Sequence, residues 1–159
     1  GGVPLASSTT PQPTAAVYNF DSSAQGWTSS GAAITSVTRT TERAFAGTGS
    51  LKVSFGTAAG DGFAKVQNPT TPAGALLSFR VWLPAGGKIS AVQPYALQGA
   101  GGGWAWSGSW RASNTLQAGS WNTITVQVPA NAAALAELGV VFTTSGGSVP
   151  AAYVDSVTY

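Results

Sequence analysis

From residue 17 onward, apolar and polar residues alternate in short runs along this chain, and a period of two marks half-buried β-strands. Such runs cover residues 17–20, 33–40, 50–55, 62–67, 75–83, 89–98, 121–128, 138–143 and 152–158. They are rich in Val, Ile, Thr and aromatics, with Gly, Pro, Asn or Ser between them. Only 130–137 has the pattern of a helical turn. Some nine strands without a 3.6-residue period predict an all-β fold, a jelly-roll β-sandwich of two antiparallel sheets.

Alternation also assigns faces. In 77–83 the set Leu77, Phe79, Val81 and Leu83 points one way, leaving Ser78, Arg80 and Trp82 on the other. In the next strand Val92, Pro94 and Ala96 are the inward set, so Gln93 and Tyr95 face out. Taken as neighbours, the two strands offer Arg80, Trp82, Gln93 and Tyr95 on one surface. A register slip of one residue would turn that platform into core. Ile124, Val126 and Val128 form the inward set of their strand, and Trp121 at its mouth reads as structural, closing an end of the core.

At 159 residues the chain has room for one ordinary domain. Residues 1–16, GGVPLASSTTPQPTAA, carry three prolines and no periodicity, so they read as a linker or tail ahead of a module spanning 17–159. No stretch approaches the ~20 apolar residues of a membrane span. The expected setting is secreted and extracellular, as a piece of a longer protein. Charged residues make up 8% of the chain, and the seven cations, Arg39, Arg43, Lys52, Lys65, Arg80, Lys88 and Arg111, are scattered. That spacing argues against a nucleic-acid partner, which requires clustered cations.

The chain has no His and no Cys. Ser-His-Asp and Cys-His catalysis and thiolate metal sites are therefore unavailable. Glycoside hydrolysis needs two facing carboxyls, but Asp61 in Gly60-Asp61-Gly62 reads as a turn residue and Glu137 as a solvated or capping one. The module is expected not to be an enzyme. What it does display is Trp104, Trp106, Trp110 and Trp121 in a stretch of Gly, Ser, Ala and Asn. Flat apolar faces on a polar surface call for a flat ligand, whether a sugar ring, a base or a partner protein.

Four segments carry a resemblance: Tyr18-Asn19-Phe20-Asp21 followed by Gln25-Gly26-Trp27, Phe45-Ala46-Gly47-Thr48-Gly49-Ser50-Leu51-Lys52-Val53, Gly119-Ser120-Trp121-Asn122-Thr123-Ile124, and Tyr153-Val154-Asp155-Ser156-Val157. In this order they resemble the β-sandwich carbohydrate-binding modules appended to bacterial cellulases, mannanases and xylanases. Within that group, the stretch Ile89-Ser90-Ala91-Val92-Gln93-Pro94-Tyr95 with its Trp cluster is most similar to the β-glucan-binding module of a bacterial endoglucanase, family 81. The resemblance implies a structural Ca²⁺ held by Asp21, Asp155 and the carbonyls of Phe45 and Thr48. A hard cation of this kind takes oxygen ligands from several segments. The alternative is that Asp21 only closes a turn.

Together these readings predict a non-catalytic module that binds single chains of β-1,4-glucan, mixed-linkage β-glucan or xyloglucan and targets an attached glycoside hydrolase domain. Trp82, Tyr95, Trp104, Trp106 and Trp110 are expected to stack on pyranose faces. Arg80, Gln93, Gln98, Arg111 and Asn114 are expected to read hydroxyls. Mannan or glucomannan is the alternative ligand, and a structural or adhesive sandwich that binds protein is the rival of another class.

Overall fold

The computed structural model describes residues 16–159; the expected linker, apart from Ala16, lies outside them. Eleven strands form two antiparallel sheets, and the all-β sandwich expected from the alternation is what folds. One sheet has the order β1 (Thr28–Ser30), β4 (Gly60–Gln67), β10 (Leu135–Thr144), β6 (Ile89–Gln98), β7 (Trp106–Gly108), with β8 (Arg111–Ala112) also pairing β6. The other has the order β2 (Ile34–Thr40), β3 (Ser50–Phe55), β11 (Ala152–Thr158), β5 (Leu76–Leu83), β9 (Ser120–Gln127).

The inward sets are those the alternation assigned. Leu77, Phe79, Val81 and Leu83 of β5, with Ile124 and Val126 of β9, are buried against Val92 and Ala96 of β6 and Leu138, Val140 and Phe142 of β10. Strand 17–20 shrinks to a single bridge between Tyr18 and Val157, since the amides of Asn19 and Phe20 donate to Gln25 Oε1 instead; β11 itself bulges at Ser156, whose φ is +48°. The helical turn expected over 130–137 is absent. Leu135 to Glu137 instead continue β10, with Glu137 lying between Gln67 of β4 and Leu97 of β6.

One proline explains the divided outer strand. The Ser109 N–H donates to the Pro94 carbonyl at 3.0 Å, but Pro94 has no N–H to return the second bond of that pair. The ladder breaks there, which leaves β7 and β8 as separate pieces beside β6. The Ser109 hydroxyl donates instead to the Thr125 carbonyl on β9, joining the margin of one sheet to the other.

Core burial makes the outcome of truncation calculable. Phe142 is fully buried and meets Phe55 edge-on at 5.7 Å, so Phe142→Ala should cost about 3–5 kcal/mol in urea unfolding. A loss under about 1 kcal/mol would contradict this core assignment.

Candidate functional site

The two central strands carrying the expected platform belong to different sheets. Trp82 and Arg80 sit on β5, Tyr95 and Gln93 on β6, and each pair faces outward from its own sheet. The single surface expected from sequence is therefore two surfaces on opposite sides of the sandwich. The reason is topological: β5 and β6 follow one another in the chain but cross between sheets instead of pairing.

On the outer face of the five-stranded sheet, Trp82 is not a free platform. The Arg43 guanidinium lies 3.7 Å from the centre of its ring and 4.8 Å from that of Tyr153, while Tyr153 meets Trp82 edge-on at 5.6 Å. Arg80 is also occupied: Nη1 donates to the Ser156 carbonyl at 3.0 Å and to the Thr158 hydroxyl at 2.7 Å, and its guanidinium lies 5.2 Å from the Phe45 ring. Burial lowers the pKa of Arg80, partly offset by Asp155. Trp121 lies on this same outer face, opposite Trp82 in the ladder and edge-on to Phe45 at 6.0 Å, so it does not plug the core.

The segment 41–49 that supplies Arg43 and Phe45 is held down by both aspartates. Asp155, fully buried, accepts the amides of Phe45 at 2.8 Å and Ala46 at 3.2 Å on Oδ2 and that of Ser156 at 2.6 Å on Oδ1. Asp21 Oδ1 accepts the amides of Thr48 at 2.9 Å and Gly49 at 3.2 Å. Burial raises the Asp155 pKa, and these amides oppose the rise. The resemblance places Asp21, Asp155, Phe45 and Thr48 around one Ca²⁺, and both carboxylates do bond to the loop that carries Phe45 and Thr48. The loop, however, turns N–H donors and not carbonyl oxygens toward the carboxylates, and Arg80 stands opposite Asp155. Among the described residues no three acidic, His or Cys side chains gather for a metal. In this arrangement the four residues do not fit a calcium shell.

The outer face of the six-stranded sheet is different. Tyr95 points out of this sheet as expected, yet it is wholly covered. Trp106 lies parallel on it, ring centres 4.1 Å apart at 10°, and Phe63 abuts its edge at 6.1 Å. The Tyr95 hydroxyl donates to Glu137, whose Oε1 also accepts Gln67 Nε2 at 2.7 Å and lies 3.6 Å from Lys65 Nζ. Burial first, and then this carboxylate, push the Tyr95 pKa far up, so the phenol stays protonated at any working pH. Gly139 stands between Lys65 and Tyr95 in the ladder, where a Cβ would strike the Ala64 carbonyl.

Trp106 is 45% exposed, and its Nε1 donates to Gln93 Oε1 at 3.1 Å. Gly108 makes this possible, since a Cβ there would sit 2.5 Å from both atoms of that bond. Ser109 stays bonded to Pro94, so the alternation continues from Trp106 through Gly108 to Trp110, which falls opposite Gln93 and is 61% exposed. Trp104, 59% exposed, sits in the preceding loop with φ of +60°, a rare conformation for a bulky residue. Arg111 and Asn114 are exposed. Gln98 is buried, its Oε1 accepting the Ala133 amide at 2.9 Å; it ties β6 to a loop and does not face out.

The site is thus Trp106 and Trp110 over a sheet face bearing Phe63, Lys65, Gln67, Gln93 and Glu137, with Trp104 exposed in the loop that leads into β7. Sequence reasoning missed Phe63, Lys65 and Gln67 because nothing local marks β4 as a neighbour of the Trp-bearing strand. Glu137 was hidden by the false helical turn. Elsewhere, Asp61 accepts the Thr143 hydroxyl at 2.7 Å, and Glu42 accepts Lys52 at 2.8 Å and the Tyr153 hydroxyl at 2.6 Å.

A family model described as "Mannanase, galactose-binding domain-like" matches residues 18–156. The chain belongs to this family. No curated protein matches it. Among solved structures, one reported for the promiscuous specificity of carbohydrate-binding modules of the β-sandwich superfamily is 30% identical with a TM-score of 0.79. It covers 90% of this chain, which in turn spans 60% of that one. TmCBM27, reported for specific mannan recognition, is 13% identical with a TM-score of 0.61, covering 84% of this chain and 86% of its own. The Clostridium thermocellum Xyn10B CBM22-1–GH10 structure with xylohexaose is 16% identical with a TM-score of 0.59, covering 91% of this chain and 27% of that one. The chain therefore has the β-sandwich fold of these carbohydrate-binding modules.

Two outcomes follow. Trp82→Ala should lower stability by roughly 1–2 kcal/mol in urea unfolding through loss of the Arg43 stack. If the amide clasp is complete as it stands, chelator should leave the melting temperature unchanged; a fall that added calcium restores would show the loop turning its carbonyls to a cation.

Proposed function

We propose that this domain is a non-catalytic module that binds single chains of neutral β-1,4-linked polysaccharide, mannan or glucomannan first and β-glucan second. The observation that carries the reading is the Trp106 indole, laid flat on Tyr95 with its outer face open to solvent. Axial C–H groups give a pyranose an apolar face, and an aromatic contact of this kind contributes on the order of 1 kcal/mol. Trp104 and Trp110 extend the apolar surface beyond one ring. Four strand residues from Trp106 to Trp110 span about 13 Å, room for more than one linked sugar.

Membership in a mannanase-associated family supports mannan over the β-glucan preference that the family 81 resemblance implies. The polar rim is suited to either: Gln67 and Gln93 can offer donors or acceptors to hydroxyls. The scant net charge of +2 suits an uncharged polymer. An attached glycoside hydrolase and an extracellular setting belong to the same proposal; the Xyn10B structure, in which such a sandwich is joined to a GH10 module, supports the first.

Affinity gels and titration calorimetry with mannan, glucomannan, mixed-linkage β-glucan and xyloglucan test this. Trp106→Ala should weaken binding to the preferred polymer at least tenfold, with a smaller change in stability than a core truncation brings. Retention by β-glucans alone would restore the ligand order implied by the family 81 resemblance. No retention by any of the four would overturn the carbohydrate reading.

A further inference from the structure

We infer that Tyr95 is a positioning residue: with Glu137 it sets the tilt of the Trp106 ring without touching ligand. This rests on the carbohydrate reading for its consequence but on geometry for its substance. Tyr95 has no accessible surface, so no sugar reaches it. The indole above it projects from β7, a three-residue strand at the sheet margin. So short a strand has little backbone with which to hold a large ring, and the ring's orientation falls to its two side-chain partners. One is Gln93, which accepts its Nε1–H at 3.1 Å; the other is the parallel face of Tyr95 at 4.1 Å.

Tyr95 is in turn fixed at three points. Phe63 bounds its edge, Glu137 accepts its hydroxyl proton, and Gly139 is its cross-strand neighbour without a side chain. Glu137 is anchored by Gln67 and Lys65 on the far strand. A chain of contacts thus runs from β4 through β10 and β6 to β7, ending at the exposed indole. Removing a link leaves the ligand-contacting atoms in place and loosens them, and binding then incurs the ordering cost that a preorganised ring avoids.

The test uses Tyr95→Phe, Glu137→Ala and Glu137→Gln in the whole chain, with glucomannan and mixed-linkage β-glucan as probes. Three quantities are read: dissociation constant, melting temperature, and the Trp106 indole N–H resonance of the free protein, assigned through Trp106→Phe. Tyr95→Phe and Glu137→Ala should shift or broaden that resonance and weaken binding about tenfold, more than any drop in melting temperature accounts for. Glu137→Gln, which keeps a carbonyl oxygen for the Tyr95 hydroxyl, should retain most of the affinity. Unchanged affinity and an unmoved resonance in Tyr95→Phe and Glu137→Ala would overturn the inference. If the wild-type chain bound neither polymer, the carbohydrate reading would fall, and the indole resonance alone would still decide the positioning role.

Discussion

Each sheet of this sandwich must turn one alternate set of side chains inward, and so it is compelled to turn the other set out, away from the opposite sheet. Everything displayed for recognition depends on that constraint. β5 and β6 each commit one face to the core, with Phe79 and Val92 fully buried on their facing sides. Their remaining residues therefore lie on opposite sides of the molecule. On one side the 41–49 segment, clamped by Asp21 and Asp155, lays Arg43 over Trp82 and leaves the Phe45 ring at the surface. The other side has no such cover, and there the tryptophans remain in contact with water.

The open side owes its shape to absences in the backbone. Pro94 lacks a donor, so the outer strand is divided at Ser109 into two short pieces that keep one register along β6. Gly108 lacks a Cβ where Trp106 and Gln93 meet. Gly139, in register with Tyr95, could take no side chain without striking β4. A well-packed sheet margin would have buried its aromatics. This one stacks one ring on another and leaves the upper ring half exposed.

Strand positions and inward faces were legible from residues 50–55, 75–83 and 89–98 because a period of two survives wherever one face is core. Which strands sit side by side was not legible, since alternation carries no information about partners. That is why Trp82 and Tyr95 were placed together, and why Phe63 and Lys65, two strands away from Tyr95 across β10, went unnoticed. The same local reading mistook 130–137 for a helical turn, because alanines favour helix until the pairing of Leu135 with β6 and of Glu137 with β4 and β6 overrides propensity. Tyr95 shows the subtler failure. Its outward direction was correct, but exposure depends on what lies above, and Trp106 comes from a strand too short to leave a pattern.

The balance of forces on the open face favours a neutral polymer over other flat ligands. A protein partner would be expected to cover a larger continuous apolar patch, whereas the exposed indoles here are interleaved with Gly and Ser. Nucleic-acid bases could stack on the same rings, but their phosphates would need cations, and on this face Lys65 is already engaged with Glu137 at 3.6 Å. A pyranose chain asks for an apolar floor and uncharged hydrogen-bonding walls. Trp106 supplies the first, Gln67 and Gln93 lie within the second, and the one carboxylate among them is already bonded to Gln67 and Tyr95 and paired with Lys65.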